Sequence, residues 1–201
     1  MTSLRKCCAA CLVVAAGVST AAGQRALPDV PSAITSDSTP GWAPSESQKQ
    51  NALQAARDYF SKLDNERYDN AYAMMSEANR RTVPAEQFTR NNKDFRSRSG
   101  SLSQRSLLKV TWTKDPAGAP RGIYAAVDVG ARYSNVDRYC GYVVLYQKSA
   151  GDSFEIMRQE ANFIENAVAR DIEQKKSRAE LDNAWAKLAA NCPGYTTGTP
   201  N

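Results

Sequence analysis

Apolar positions recur along this chain with two different periods, and the change between them divides it. Leu53, Ala56, Phe60 and Leu63 fall at helical spacing, one stripe of an amphipathic helix. Ser45-x-x-Gln48 precedes that stripe as a capping box, in which the Ser oxygen satisfies an orphan helix N–H. Asp64-Asn65-Glu66 breaks the helix, and Tyr68, Ala71, Tyr72 and Met75 predict a short second one. Pro84 suits the first position of a third, with Glu86 favourable in its first turn and Ser99-Gly100 at its end. The period then becomes two. Leu108, Val110 and Trp112 alternate with Lys109, Thr111 and Thr113. After a turn over residues 115–120, Ile123, Ala125, Val127, Val129, Ala131 and Tyr133 line one face of a second strand. Tyr142, Val144 and Tyr146 mark a third strand, and Gly151-Asp152 turns the chain into a fourth around Phe154 and Ile156. Three helices followed by a four-stranded meander predict an α+β domain, one antiparallel sheet with helices on one face.

A helical pattern returns at about 162–190. Ile164, Val168 and Ile172 form one stripe, and Leu181, Trp185 and Leu188 another. The polar run between them, 173–178, reads as a solvated helix face, and Asp171 and Lys175 form a favourable i,i+4 pair.

The chain's opening changes the expected compartment. Arg5 and Lys6, an apolar run from Cys7 to Val18, and Ala21-Ala22-Gly23 have the layout of a secretory signal peptide over residues 1–23. The run is shorter than the roughly 20 apolar residues of a spanning helix. A periplasmic or secreted protein, not integral to the membrane, is therefore expected. Residues 24–44 hold four prolines and show neither period, and read as a flexible spacer from which Trp42 could dock. The domain proper is expected over 45–195, including the helical extension 163–190, with 196–201 a disordered tail.

Composition then removes whole classes of chemistry. There is no histidine, so His-based triads and His-containing zinc sites are excluded. Removing the leader leaves 24 basic against 21 acidic residues, a net +3 too mild to argue for nucleic acid. No phosphate-binding Gly-rich loop, acidic Ca²⁺ loop or Gly-x-Ser-x-Gly elbow occurs, and no cofactor is expected.

Five cysteines less three in the leader leave Cys140 and Cys192, which an oxidising compartment would join. Hairpin geometry places Cys140 opposite about Ala161. A straight helix from there would carry Cys192 roughly 40 Å away at 1.5 Å per residue, whereas bonded cysteines need Cα atoms within about 7 Å. Ser177-x-x-Glu180 offers a second capping box at which the chain can reverse. The expectation is a helical hairpin over about 163–175 and 178–190. The alternative is one long overhanging helix with two free thiols.

Residues 52–163 resemble the family of proteins of unknown function numbered 4019. Three stretches carry the likeness: ALQAARDYFSKLDNERYDNAYAMMSEANR, VPAEQF, and PRGIYAAVDVGARYSNVDRYCGYVVLYQKSAGDSFEIMRQE. The resemblance implies a cystatin-like or nuclear transport factor 2-like cone, a curved sheet wrapped on helices, and no particular activity. The family's usual Trp-Arg in the last strand is here Phe154-Glu155.

Cones of this general kind include ketosteroid isomerase-like and cyclase-like enzymes, which hold a carboxylate and phenols in an apolar pocket. Asp128 shares one strand face with Tyr124 and Arg132, the pattern of a general base beside a phenol donor. The apolar face of that strand is the opposite one, so Asp128 is expected to face solvent and pair with Arg132. Arg158 and Glu160 have the same two readings. Tyr59, Tyr68, Tyr72, Tyr133, Tyr139, Tyr142 and Tyr146 could line a ligand pocket, although core packing with the hydroxyl at the rim is commoner. The leading expectation is a non-enzymatic envelope module that binds a small apolar ligand or a protein partner. The rivals are an enzyme using Asp128 and a structural domain that homodimerises through its C-terminal helices.

Overall fold

The computed structural model describes residues 30–189. The leader, the start of the spacer and residues 190–201, Cys192 included, lie outside the described residues. Within them the protein is α+β, with six helices and a five-stranded sheet of order β1-β2-β3-β4-β5.

The helical periodicity is realised in α1 (Glu46–Asp64), α2 (Tyr68–Ala73), α3 (Glu77–Thr82) and α4 (Ala85–Ser99). Both halves of the capping box form at Ser45 and Gln48, at 3.2 and 2.9 Å. α3 is an additional turn of helix, capped by Ser76 through the Asn79 N–H. Tyr72 holds that turn by donating to the Val83 carbonyl. Pro84 takes the N-cap position, one residue before the first helical one.

The period-two region forms β2 (Leu102–Lys114), β3 (Ile123–Tyr133), β4 (Val136–Gln147) and β5 (Glu155–Glu165), all antiparallel neighbours. The expected four strands become five. The spacer, expected to be flexible, supplies β1 (Ser32–Ile34), which pairs parallel with β2. Thr35 N–H donates to the Trp112 carbonyl, Thr39 N–H to that of Lys114, and the Ser38 hydroxyl accepts from Lys114 N–H. Backbone pairing overrode the lack of pattern. Trp42 docks against the core as its position suggested.

The strict alternation of β3 decides which side chains meet which layer. Val110, Trp112, Ala125, Val127, Val129, Val143, Leu145 and Ile156 point to the front face and form one core with Leu53, Ala56, Tyr59 and Phe60 of α1 and with Phe88 of α4.

Helices cover both faces of the sheet, not one. β5 continues to Glu165, beyond the expected start of the helical extension, because Asn162 to Glu165 pair with β4 residues 136–140. The chain then forms α5 (Asn166–Lys175) and α6 (Arg178–Ala189), the expected hairpin. Ser177 caps the return, accepting from Glu180 N–H at 3.2 Å. Leu181 and Trp185 of α6 and Ala169 of α5 pack with Cys140 and Ile164 on the back face. Arg138 ties that face to α6 through Asp182 at 2.7 Å. Cys140 pairs with Asn162 in the ladder, one residue from the expected register.

Candidate functional site

Between α1, α4 and the front face of β4–β5 the packing leaves a groove of about 330 Å³, lined in part by Tyr59, Met75, Phe88, Phe95, Tyr139 and Met157. Its inner end adjoins a chamber of about 40 Å³ that shares Asn92, Phe95, Tyr139 and Gln159 with it. Residues at helical spacing on α4, Phe88, Asn92 and Phe95, form one wall, and β4 and β5 supply the floor. Gly141 keeps that floor open. A Cβ there would lie 2.8 Å from the Tyr139 hydroxyl, so only glycine lets the Tyr139 ring lie along the strand.

The chamber is built around Arg105. Its Nε and Nη2 donate to the two Asp64 oxygens at 2.9 and 2.6 Å, and Nη2 also donates to the Tyr133 hydroxyl at 2.7 Å. The guanidinium stacks over Phe60, 4.5 Å from the ring centroid. Nη1 is buried with no hydrogen-bond partner, as is the hydroxyl of Tyr68 on the same wall. Burial opposes the charge on Arg105, but Asp64 and the surrounding phenols hold its pKa above the ordinary value. Tyr59 donates to Gln159 Oε1 at 2.5 Å. Burial, and then the neighbouring Tyr139, pushes the pKa values of Tyr59 and Tyr133 above the ordinary phenol value. Burial does the same to Tyr139. The phenols therefore stay protonated around neutral pH, and with Arg105 they make the chamber a set of fixed donors.

Of the seven candidate tyrosines, Tyr59, Tyr68, Tyr133 and Tyr139 line the groove or its chamber. Tyr72 supports α3 instead. Tyr142 and Tyr146 lie on the back face: Tyr142 donates to Glu160 at 2.8 Å, and Tyr146 donates to the Arg121 carbonyl while packing on Tyr124. Arg105, Asp64 and Gln159 were not singled out from the sequence. Asp64 is at the end of a helix and Arg105 on a strand 41 residues later, so no local period connects them.

Asp128 occupies the back face, as the alternation implies, but the expectation that it faces solvent and pairs with Arg132 is wrong. It is 3 % exposed, and neither carboxylate oxygen has a hydrogen-bond partner. The ladder slips between Leu107 and Lys109, a β-bulge that inserts Leu108. Leu108 lies against Gly130, two residues along the face from Asp128, and Lys109 and Tyr142 flank Asp128 in the ladder. Burial pushes the Asp128 carboxyl up to about 6, against the pull of Lys109 in the facing ladder position. Tyr124 does not reach it as a donor, since its hydroxyl is spent on the Pro120 carbonyl at 2.6 Å. Asp128 lines neither the groove nor its chamber. Arg158 and Glu160 pair with each other across the same face. Among the described residues, no group of three or more His, Cys, Asp or Glu is placed to hold a metal ion.

The architecture is thus a mixed α+β domain with a groove between its helices and its sheet. The model of the family described as proteins of unknown function (DUF4019) matches residues 55–157, from within α1 to the start of β5, and the chain belongs to that family. No functionally curated protein matches the chain, and no solved structure does.

Proposed function

We propose that this protein is a binding module of the cell envelope that holds a small, largely apolar ligand in the groove between α4 and the sheet. One observation carries the reading: an opening of about 330 Å³ whose wall of Met75, Phe88, Phe95 and Met157 ends at buried polar groups. Ligand sites have this size and this mixture of apolar lining and a few placed polar groups. The signal-like leader supports a periplasmic or secreted location. No helix among the described residues is long and apolar enough to cross a membrane. An envelope location would also make a Cys140–Cys192 disulfide available. Asn162, the ladder partner of Cys140, donates to the Leu188 carbonyl at 3.0 Å, which brings the end of α6 to that strand pair. Non-reducing peptide mapping tests the bond.

Ala161 offers the test of the groove. It is exposed and lines the opening, so Ala161→Trp fills the space without touching the core. The neutral dye N-phenyl-1-naphthylamine should brighten on the wild-type protein and lose about tenfold in affinity on the variant. Equal dye binding by both proteins, or none by the wild type, would overturn the groove as the ligand site.

The enzyme reading retains one supporting observation, the buried and unpartnered carboxyl of Asp128. Its position away from the groove is why we rank it second. A substrate turned over by the wild type and not by a folded Asp128→Asn variant would reverse that order. The homodimer reading has less support, because Leu181 and Trp185 are buried within the fold and of the two stripes only Val168 and Leu188 are substantially exposed.

A further inference from the structure

We propose that the chamber at the inner end of the groove is a carboxylate site, and that the ligand class is an amphiphilic carboxylic acid. The proposal rests on the groove being the ligand site and adds the chemistry of its far end. The chamber is built of donors. Arg105 keeps Asp64 on its Nε side and leaves Nη1 buried and unpartnered. The Tyr68 hydroxyl is likewise unpartnered and buried. Tyr133 accepts from Arg105, so its own O–H proton is free to donate. Buried donors without partners are costly, and the group that satisfies several of them at once is one that only accepts. A carboxylate has about four acceptor positions and no proton to place.

Arg105 is paired with Asp64 and Arg96 with Glu66 at 3.7 Å, so the charges around the chamber balance and the preference for an acceptor rests on the unpartnered donors. Space points the same way. A volume of about 40 Å³ admits a head group and not an aromatic ring, whereas the adjoining 330 Å³ accepts the apolar remainder. An ammonium would be repelled by the Arg105 guanidinium and could not satisfy its unpartnered Nη1, which needs an acceptor. A neutral hydroxyl would use one or two donors and forgo the charge-assisted bond.

The experiment compares three probes of one chain length, octanoate, 1-octanol and octylamine, by isothermal titration calorimetry on the full chain near pH 7. Octanoate should bind about tenfold or more tighter than the other two, the worth of a charge-assisted hydrogen bond in a buried site. Tyr68→Phe keeps the ring and removes one donor, and should weaken octanoate about threefold or more while leaving octanol unchanged. Ala161→Trp should weaken all three. If octanol binds as tightly as octanoate, or Tyr68→Phe has no effect on octanoate, the carboxylate site is wrong and the apolar groove stands. If none of the three binds to the wild type, both are wrong.

Discussion

On the front of the sheet the carboxylate of Asp64 meets Arg105 through two hydrogen bonds, with Tyr133 and Phe60 completing the shell. On the back, Asp128 is more deeply buried and has no partner at all, with Lys109 near enough to pull on its charge but not bonded to it. The same residue type is therefore held in two ways on the two faces of one sheet. The front pair is fixed by contacts and should be costly to break. The back carboxyl is imposed by the packing around it and should be better removed. A buried ion pair with satisfied geometry loses several kcal/mol when one partner goes, whereas an unpaired buried charge is itself the cost.

The largest effect should come from breaking the front pair. Arg105→Met leaves Asp64 and Tyr133 without their donor, and should destabilise the protein by about 3 kcal/mol in urea unfolding near pH 7. A loss well under 1 kcal/mol would mean that water replaces Arg105 at little cost and that the two faces are not so different.

Asp128→Asn should act in the opposite direction. The folded-state pKa of about 6 lies above the ordinary 3.8, so the folded protein holds this proton more tightly than the unfolded chain. Wild-type stability should therefore be undiminished by this group below about pH 4, fall as the pH rises from about 4 to 6, and stay reduced above that. The variant lacks this loss and should be more stable at pH 7 by up to about 3 kcal/mol, with the gap closing toward pH 4. Parallel thermal-melt profiles for the two proteins across this range would contradict the proton linkage.

The smallest effect compares single hydroxyls. Tyr59→Phe leaves the half-buried Gln159 acceptor without its phenol donor and should cost about 1–2 kcal/mol. Tyr142→Phe, whose partner Glu160 still has Arg158 and solvent, should cost under about 1 kcal/mol. A reversed order in chemical denaturation would mean that the back face is the tighter one.

The elements that could be read in advance were those whose signal is local. The capping box at Ser45, the stripe through Phe60 and the alternation of β3 each report on a few consecutive residues, and each formed. The hairpin of α5 and α6 was also legible, from the Ser177 cap and the demand that Cys140 makes on the path of the chain. Ser32–Ile34 gave no signal because three residues carry no period, and their strand state comes from β2. Asp128 was assigned to the correct face and the wrong environment. A pattern of alternation reports direction, whereas exposure depends on what packs over that face, and Asp128 ends up 3 % exposed. The groove had only its tyrosines to announce it. Arg105 looks like any strand arginine until Asp64 and Tyr133 are brought beside it.

The two margins of the sheet have a consequence for life at high concentration. A strand margin with free N–H and C=O groups is a template on which another chain can add. β1 covers the margin of β2, is only three residues long, and is preceded by Pro31, whose carbonyl accepts from Val110 N–H and whose nitrogen has no proton to offer a newcomer. At the other margin, the turn between α2 and α3 closes on β5: Ile156 N–H donates to the Met74 carbonyl, and Ser76 N–H donates to that of Ile156. Each device stops the ladder with a few residues of the protein's own chain. The short β1 and the α2–α3 turn thus guard part of each margin, at residues 110–112 and at Ile156, against edge-to-edge polymerisation, a hazard that five well-formed strands would otherwise carry at high concentration.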